Sequence, residues 1–165
     1  MTTTTHIAVS CFITALIIPS PVDDSHKAVI VSAGALFAHF LLDAFPHGFI
    51  AKPTTIFKET LPTLAELVPG PLILIMVIWL FDNALLFILA ASFGILPDVI
   101  STMYYKNKKR LLSIPLVPYI HTIHRRVHWF ETEYPDGSCS SRFPNTVLLV
   151  GEALFTCGVL FALFR

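Results

Sequence analysis

The chain has 165 residues, which suits a single domain. It is 55% hydrophobic and only 13% charged, about half the charged share of an ordinary soluble domain, so its apolar surplus points to a bilayer. Eleven acids balance eleven bases, which leaves no global electrostatic pull toward nucleic acid and excludes it as an expected partner.

In chain order, MTTTTH lacks the Lys or Arg of a secretory signal. The first apolar run, Ile7 to Ile18, is closed by Pro-Ser-Pro at 19–21. At about 1.5 Å per residue it reaches roughly 18 Å, short of a ~30 Å hydrocarbon core. Asp23, Asp24 and Ser25 cap a second helix, expected from about His26 to Ala44. The stretch 48–70, with its prolines, Lys and Glu, reads as an extramembrane or interfacial connection with a short amphipathic helix near Thr63 to Val68. Residues 71–96 form the strongest transmembrane signal, interrupted by Asp82 and Asn83 and ended by Pro97-Asp98. The basic loop Lys106, Lys108, Lys109 and Arg110 is expected on the cytoplasmic side. A helix over HTIHRRVHWFE, a turn-rich loop to Asn145 and a last apolar helix from Thr146 to Phe164 complete the chain. No alternating strand pattern suggests a barrel. The expected fold is an all-α integral membrane protein, a single bundle of four to five short membrane-embedded helices. Cys11, Cys139 and Cys157 read as isolated core or lipid-facing thiols.

Against this apolar background the polar blocks stand out. His39 and Asp43 are four residues apart and share a helical face. Pro46 disfavours helix at Phe45, so His47 lies just past the helix end and is aimed separately. His121, His124 and His128 share one face, and His124 and His128 have the spacing by which successive helical turns reach one metal. Ionisable residues are costly in a membrane and tend to mark functional sites, and a divalent cation neutralises an Asp set among imidazoles. Asp98 is a second carboxylate ligand or a base for a water. Asp82, mid-run, needs a partner. Arg125 and Arg126 suit a lipid phosphate or interfacial anchoring.

Thr5-His6, His39-Phe-Leu-Leu-Asp43-Ala-Phe-Pro46-His47, Pro97-Asp98 and His124-x-x-x-His128 occur in that order. Together they resemble the small prokaryotic membrane-bound metal-dependent hydrolases, loosely related to the zinc-dependent phospholipase C fold. The resemblance runs from residue 5 to residue 128. It implies His6, His39, Asp43, His47, His124 and His128 as metal ligands and Asp98 as a catalytic group. It also implies one to three zinc ions, with Mn²⁺ or Fe²⁺ as alternatives, and hydrolysis of a phosphoester or ester. The substrate would be a membrane lipid or lipid-linked molecule, and the protein would sit in a prokaryotic cytoplasmic membrane. His121 is not part of that pattern. Two other classes fit the same residues: a non-enzymatic metal-binding or metal-transporting membrane protein, and a membrane di-iron oxygenase.

One geometric conflict stands. A single crossing from Leu72 to Leu96, about 37 Å at helical rise, puts Asp98 on the opposite side from Asp43. A break at Asp82-Asn83, a partial crossing after His47, or a site at mid-depth would each relieve it.

Overall fold

The computed structural model describes residues 2–46, 68–111, 114, 116–128, 131–133, 139–141 and 145–165. His47 and the expected interfacial connection up to residue 67 lie outside the described residues. Six helices are described: α1 Thr3–Ile17, α2 Asp24–Asp43, α3 Pro69–Leu80, α4 Ala84–Leu111, α5 Leu116–Val127 and α6 Asn145–Leu163. The loop expected between α5 and α6 contains a short antiparallel ribbon, β1 Glu131–Glu133 with β2 Cys139–Ser141, register Thr132 opposite Ser140.

Local chemistry sets the helix ends. The Thr2 hydroxyl caps α1 by accepting from the Thr5 N–H at 3.4 Å. Ser10 and Thr14 donate their hydroxyls to the carbonyls one turn back, at 2.7 and 2.9 Å, so both sit buried without unmet polarity. Asp23 caps α2, its Oδ1 accepting from the Ser25 and His26 N–H groups at 3.1 Å each. These bonds and the Ser25 hydroxyl, the largest contributor, hold the Asp23 carboxyl down at about 2. Lys27 reaches back to donate to the Ile18 carbonyl at 2.9 Å, closing the end of α1. Cys11 is buried and Cys157 exposed, both as free thiols.

The long apolar run is not one continuous helix. It breaks at Phe81, which is extended, and restarts at Ala84, where the Asn83 carbonyl accepts from Leu86 and Phe87. Asp82 therefore sits exposed in a turn, and needs no buried partner. Gly70, at the start of α3, and Gly94, in α4, both abut the first three turns of α1. The two helices thus form a hairpin, and the middle of α4 returns to the end of the bundle where α2 finishes. The expected stop at Pro97-Asp98 is also corrected: α4 runs through Pro97 to Leu111. The basic cluster 106–110 lies in the backbone of its last turns, the end of the dipole that cations favour.

Two apolar clusters fill the bundle. Ile7, Ala8 and Cys11 of α1 meet Ile73, Val77, Phe87, Ala91 and Leu163. Val31 and Ala35 of α2 meet Leu86 and Ala90 of α4. Outside, large apolar side chains are bare: Trp79 is 84% exposed, Phe37 68% and Phe161 70%. Two helical stretches, Asp24–Asp43 and Ala84–Tyr104, are long and apolar enough to cross a membrane.

Candidate metal centre

Four elements deliver the polar residues to one place. His6 comes from the second turn of α1, His39 and Asp43 from the end of α2, Asp98 from the turn after Pro97 in α4, and His124 and His128 from the end of α5 and the residue just past it. All but Asp98 and His128 are buried. One ligand atom each from His39, Asp43, Asp98 and His124 lies within 4.8 Å of the other three.

Asp43 is the hub. Its Oδ2 stands 2.9 Å from His39 Nε2, 3.0 Å from His124 Nε2 and 3.4 Å from His128 Nε2. Its Oδ1 stands 3.1 Å from His6 Nε2. Asp98 faces the same imidazoles from the other side, Oδ1 at 3.1 Å from His124 and 3.9 Å from His39, Oδ2 at 4.0 Å from His6. The rings of His6 and His39 stack with centroids 4.1 Å apart. The Asp98 side chain keeps 34% of its surface and His128 keeps 18%, so the cluster opens on that side while the other residues are closed.

The chemistry of the donor set fits a divalent cation. Four ligands at 2.0–2.1 Å around a tetrahedral zinc stand roughly 3.3 Å apart; four of the six separations among His39, Asp43, Asp98 and His124 are 2.9, 3.0, 3.1 and 3.9 Å, and all six lie within 4.8 Å. The tautomer of His39 points the same way. Pro97 supplies no N–H to the Phe93 carbonyl, and at the next residue the Gly94 carbonyl lies 2.7 Å from His39 Nδ1. A carbonyl only accepts, so Nδ1 carries the hydrogen and Nε2 is the nitrogen turned to the carboxylates. That buried Nε2 stands 2.9 Å from Asp43 Oδ2, a separation that a metal ion or a proton between the two atoms would satisfy. His6 is buried as well, its Nε2 3.1 Å from Asp43 Oδ1 and its Nδ1 without a hydrogen-bond partner.

Outer partners orient the ligands, as at known metal sites. Ser101 Oγ lies 2.8 Å from His124 Nδ1 and 3.3 Å from His121 Nδ1. The consistent assignment has His124 Nδ1–H donating to Ser101, whose hydroxyl donates to His121. His121 also lies against Tyr104, ring centroids 4.4 Å apart. On the far side of α1, the Thr5 hydroxyl donates to Glu152 Oε1 at 2.8 Å and pairs with Thr156 at 2.9 Å, and the Thr2 N–H also donates to Glu152. This buried network on α6 fixes the turn from which His6 projects.

The sequence reasoning missed Ser101, Gly94, Thr5 and Glu152 as supporting groups. Ser101 was findable, being one helical turn after Asp98 on the same side. Arg125 and Arg126 are exposed and lie outside the imidazole cluster. Replacing Ser101 with Ala is expected to weaken metal affinity about 10- to 100-fold, the usual cost of losing such a partner. Competition titration with a chromogenic chelator measures it, and an unchanged affinity would exclude the role.

Burial works against charge on His124, but the Asp43 and Asp98 carboxylates outweigh it and raise its pKa above the ordinary 6.5. In the metal-free protein that ion pair stabilises at low pH and is lost as pH rises through the raised pKa. Metal binding has the opposite sign, since a proton on His124 competes with the cation. The zinc-induced rise in the unfolding temperature is therefore expected to be larger at about pH 8 than at about pH 6. A rise independent of pH would contradict protonation of this ring.

No protein-family model, curated protein or solved structure matches the chain. The geometry of the site thus carries the functional argument by itself.

Proposed function

We propose that the protein is a membrane-bound metal-dependent hydrolase acting on an ester or phosphoester, with zinc as the preferred metal. The observation that carries this reading is the convergence of His39, Asp43, Asp98 and His124 ligand atoms within 4.8 Å, closed by buried residues on three sides and open at Asp98. With His39, Asp43 and His124 as the protein ligands and Asp98 acting on water, one coordination position would stay open, which is what separates catalytic metal sites from structural ones.

The depth of the site supports a membrane substrate. From Asp24 to Asp43, α2 rises about 29 Å, close to the ~30 Å hydrocarbon thickness. With the turns at 18–23 and 81–83 at one interface, the imidazoles lie at the other, level with headgroups and ester linkages. The basic cluster 106–110, Arg125 and Arg126 belong to that same end, which by the positive-inside tendency faces the cytoplasm.

A bound divalent cation would supply Lewis-acid polarisation of the scissile group and lower the pKa of a water toward neutrality. His39, Asp43 and His124 would hold it, with His6 and His128 alongside. Asp98, partly exposed beside His124, would orient an entering water and take its proton. Arg125 and Arg126 supply positive charge for a phosphate at the rim.

Transport fits less well. Between the site and the opposite end, the described interior is mainly apolar, and its buried Ser10 and Thr14 hydroxyls already donate to α1 carbonyls. The test uses zinc-loaded protein in phospholipid vesicles, assayed with para-nitrophenyl esters and phosphodiesters and for release of phospholipid products. Turnover that needs metal and falls in Asp98→Asn, with zinc retained, supports hydrolysis. Turnover no higher than that of a His39→Ala, Asp43→Ala double variant, or zinc flux across the vesicle without turnover, overturns it.

A further inference from the structure

A neutral imidazole binds a metal through one nitrogen only if its hydrogen sits on the other. His39 and His124 meet this condition by different means. His39 Nδ1 faces the Gly94 carbonyl at 2.7 Å, an acceptor that cannot donate, so the hydrogen stays there. His124 Nδ1 faces the Ser101 hydroxyl at 2.8 Å, and a hydroxyl can donate or accept. The carboxylates pull the other way. Asp43 Oδ2 and Asp98 Oδ1 stand 3.0 and 3.1 Å from His124 Nε2, close enough to draw the hydrogen onto the nitrogen that has to ligate. A hydroxyl donating to Nδ1 would settle the ring in that non-binding tautomer.

Ser101 has a single hydrogen, and a second buried imidazole faces it. His121 lies one turn before His124 on α5, just as Ser101 lies one turn after Asp98 on α4. His121 Nδ1 is 3.3 Å from Ser101 Oγ. Ser10, Thr14 and Thr122 donate their hydroxyls to carbonyls one turn back, whereas Ser101 is set between two ring nitrogens. With its hydrogen given to His121, the Ser101 oxygen can only accept from His124.

We propose that His121 is a positioning residue of the metal centre: its Nδ1 takes the Ser101 hydrogen, which holds the hydrogen of His124 on Nδ1 and leaves Nε2 to bind the metal. The inference rests on the metal-binding part of the proposed function and is independent of hydrolysis.

The test is the zinc affinity of the full chain in detergent, by competition with a chromogenic chelator, with the unfolding temperature measured alongside. His121→Phe keeps a ring against Tyr104, whose centroid lies 4.4 Å away, but removes the acceptor. It is expected to weaken zinc binding about tenfold, the lower end of the cost of losing an outer hydrogen-bond partner. His121→Asn loses the ring but brings an amide oxygen near the place of Nδ1, and is expected to stay within about twofold of the wild type. In a Ser101→Ala background, His121→Phe should add less than about twofold, because its effect passes through that hydroxyl. His121→Leu takes the place of a Phe variant that does not fold. A Phe variant with wild-type affinity, an Asn variant weaker than the Phe variant, or a Phe loss that is the same with and without Ser101 would mean that His121 only packs the helices, and overturns the inference. Wild-type protein that takes up no zinc overturns the metal centre as well.

Discussion

Asp43→Asn is expected to lower zinc affinity by more than the roughly 100-fold upper range seen for loss of an outer-shell partner. Among the described residues no other faces so many of the imidazoles: one carboxylate oxygen is shared by His39, His124 and His128, and the second faces His6. The amide keeps the shape but removes the charge that offsets the cation and turns one oxygen into a donor. His121→Ala, outside the ligand set, should cost far less. A chelator competition assay on both variants checks the ranking. Equal affinities for Asp43→Asn and the wild type would show that the carboxylate does not bind metal.

Gly94→Val is expected to have the largest effect on stability. A Cβ at residue 94 collides with Ser10 Oγ, which is already bound to the His6 carbonyl, and would lie 3.4 Å from that carbonyl oxygen. Neither neighbour is free to yield, so α1 must move away from α4 and take His6 with it. Overpacking of this kind costs about 1–3 kcal/mol, or a fall of roughly 3–10 °C in unfolding temperature for a chain of this size. Gly151→Val and Gly158→Val are the controls. A Cβ at either position meets nothing within 4 Å, and Val is the better helix former, so neither should lower the midpoint. A Gly94 variant that melts with these controls would contradict the close approach of the two helices.

How much of this could be read from sequence varies with the kind of interaction. His39 and Asp43 were legible because helical spacing alone puts them on one face, and Pro46 ended α2 where local backbone sterics require. His124 was legible for the same reason. The partnership of Asp98 with Asp43 was not, because it depends on whether the apolar run crosses once or turns back. Hydropathy is nearly blind to that choice: residues 72–80 and 84–96 are equally greasy, and only Asp82-Asn83 distinguishes a hairpin from a span. Pro97 misled in the other direction. A helix tolerates an internal Pro where neighbours support it, and Pro97 is fully buried against its neighbours within α4. His121 was visible as a residue but not as a role, since its partner Ser101 lies on another helix. Gly94 and Glu152 act through contacts far away in sequence, which no local pattern encodes.

The same contrast explains the shape of the site. Each helix buries mostly apolar side chains, and the costly polar groups are gathered at one end where α1, α2, α4 and α5 meet. Were His6, His39, Asp43 and His124 only a structural network, each buried ring nitrogen would need a hydrogen-bond partner. His6 Nδ1 has none, and Nε2 of His6 and of His39 face Asp43 at 3.1 and 2.9 Å, where a metal ion as well as a proton would fit.

Elemental analysis of the purified protein tests this most directly, with wild type beside His124→Ala and after dialysis against a metal-free buffer. The account predicts at least one equivalent of a first-row divalent metal, zinc foremost, in the wild type and its loss in the variant. Wild-type protein that neither retains metal nor takes up added zinc would contradict it.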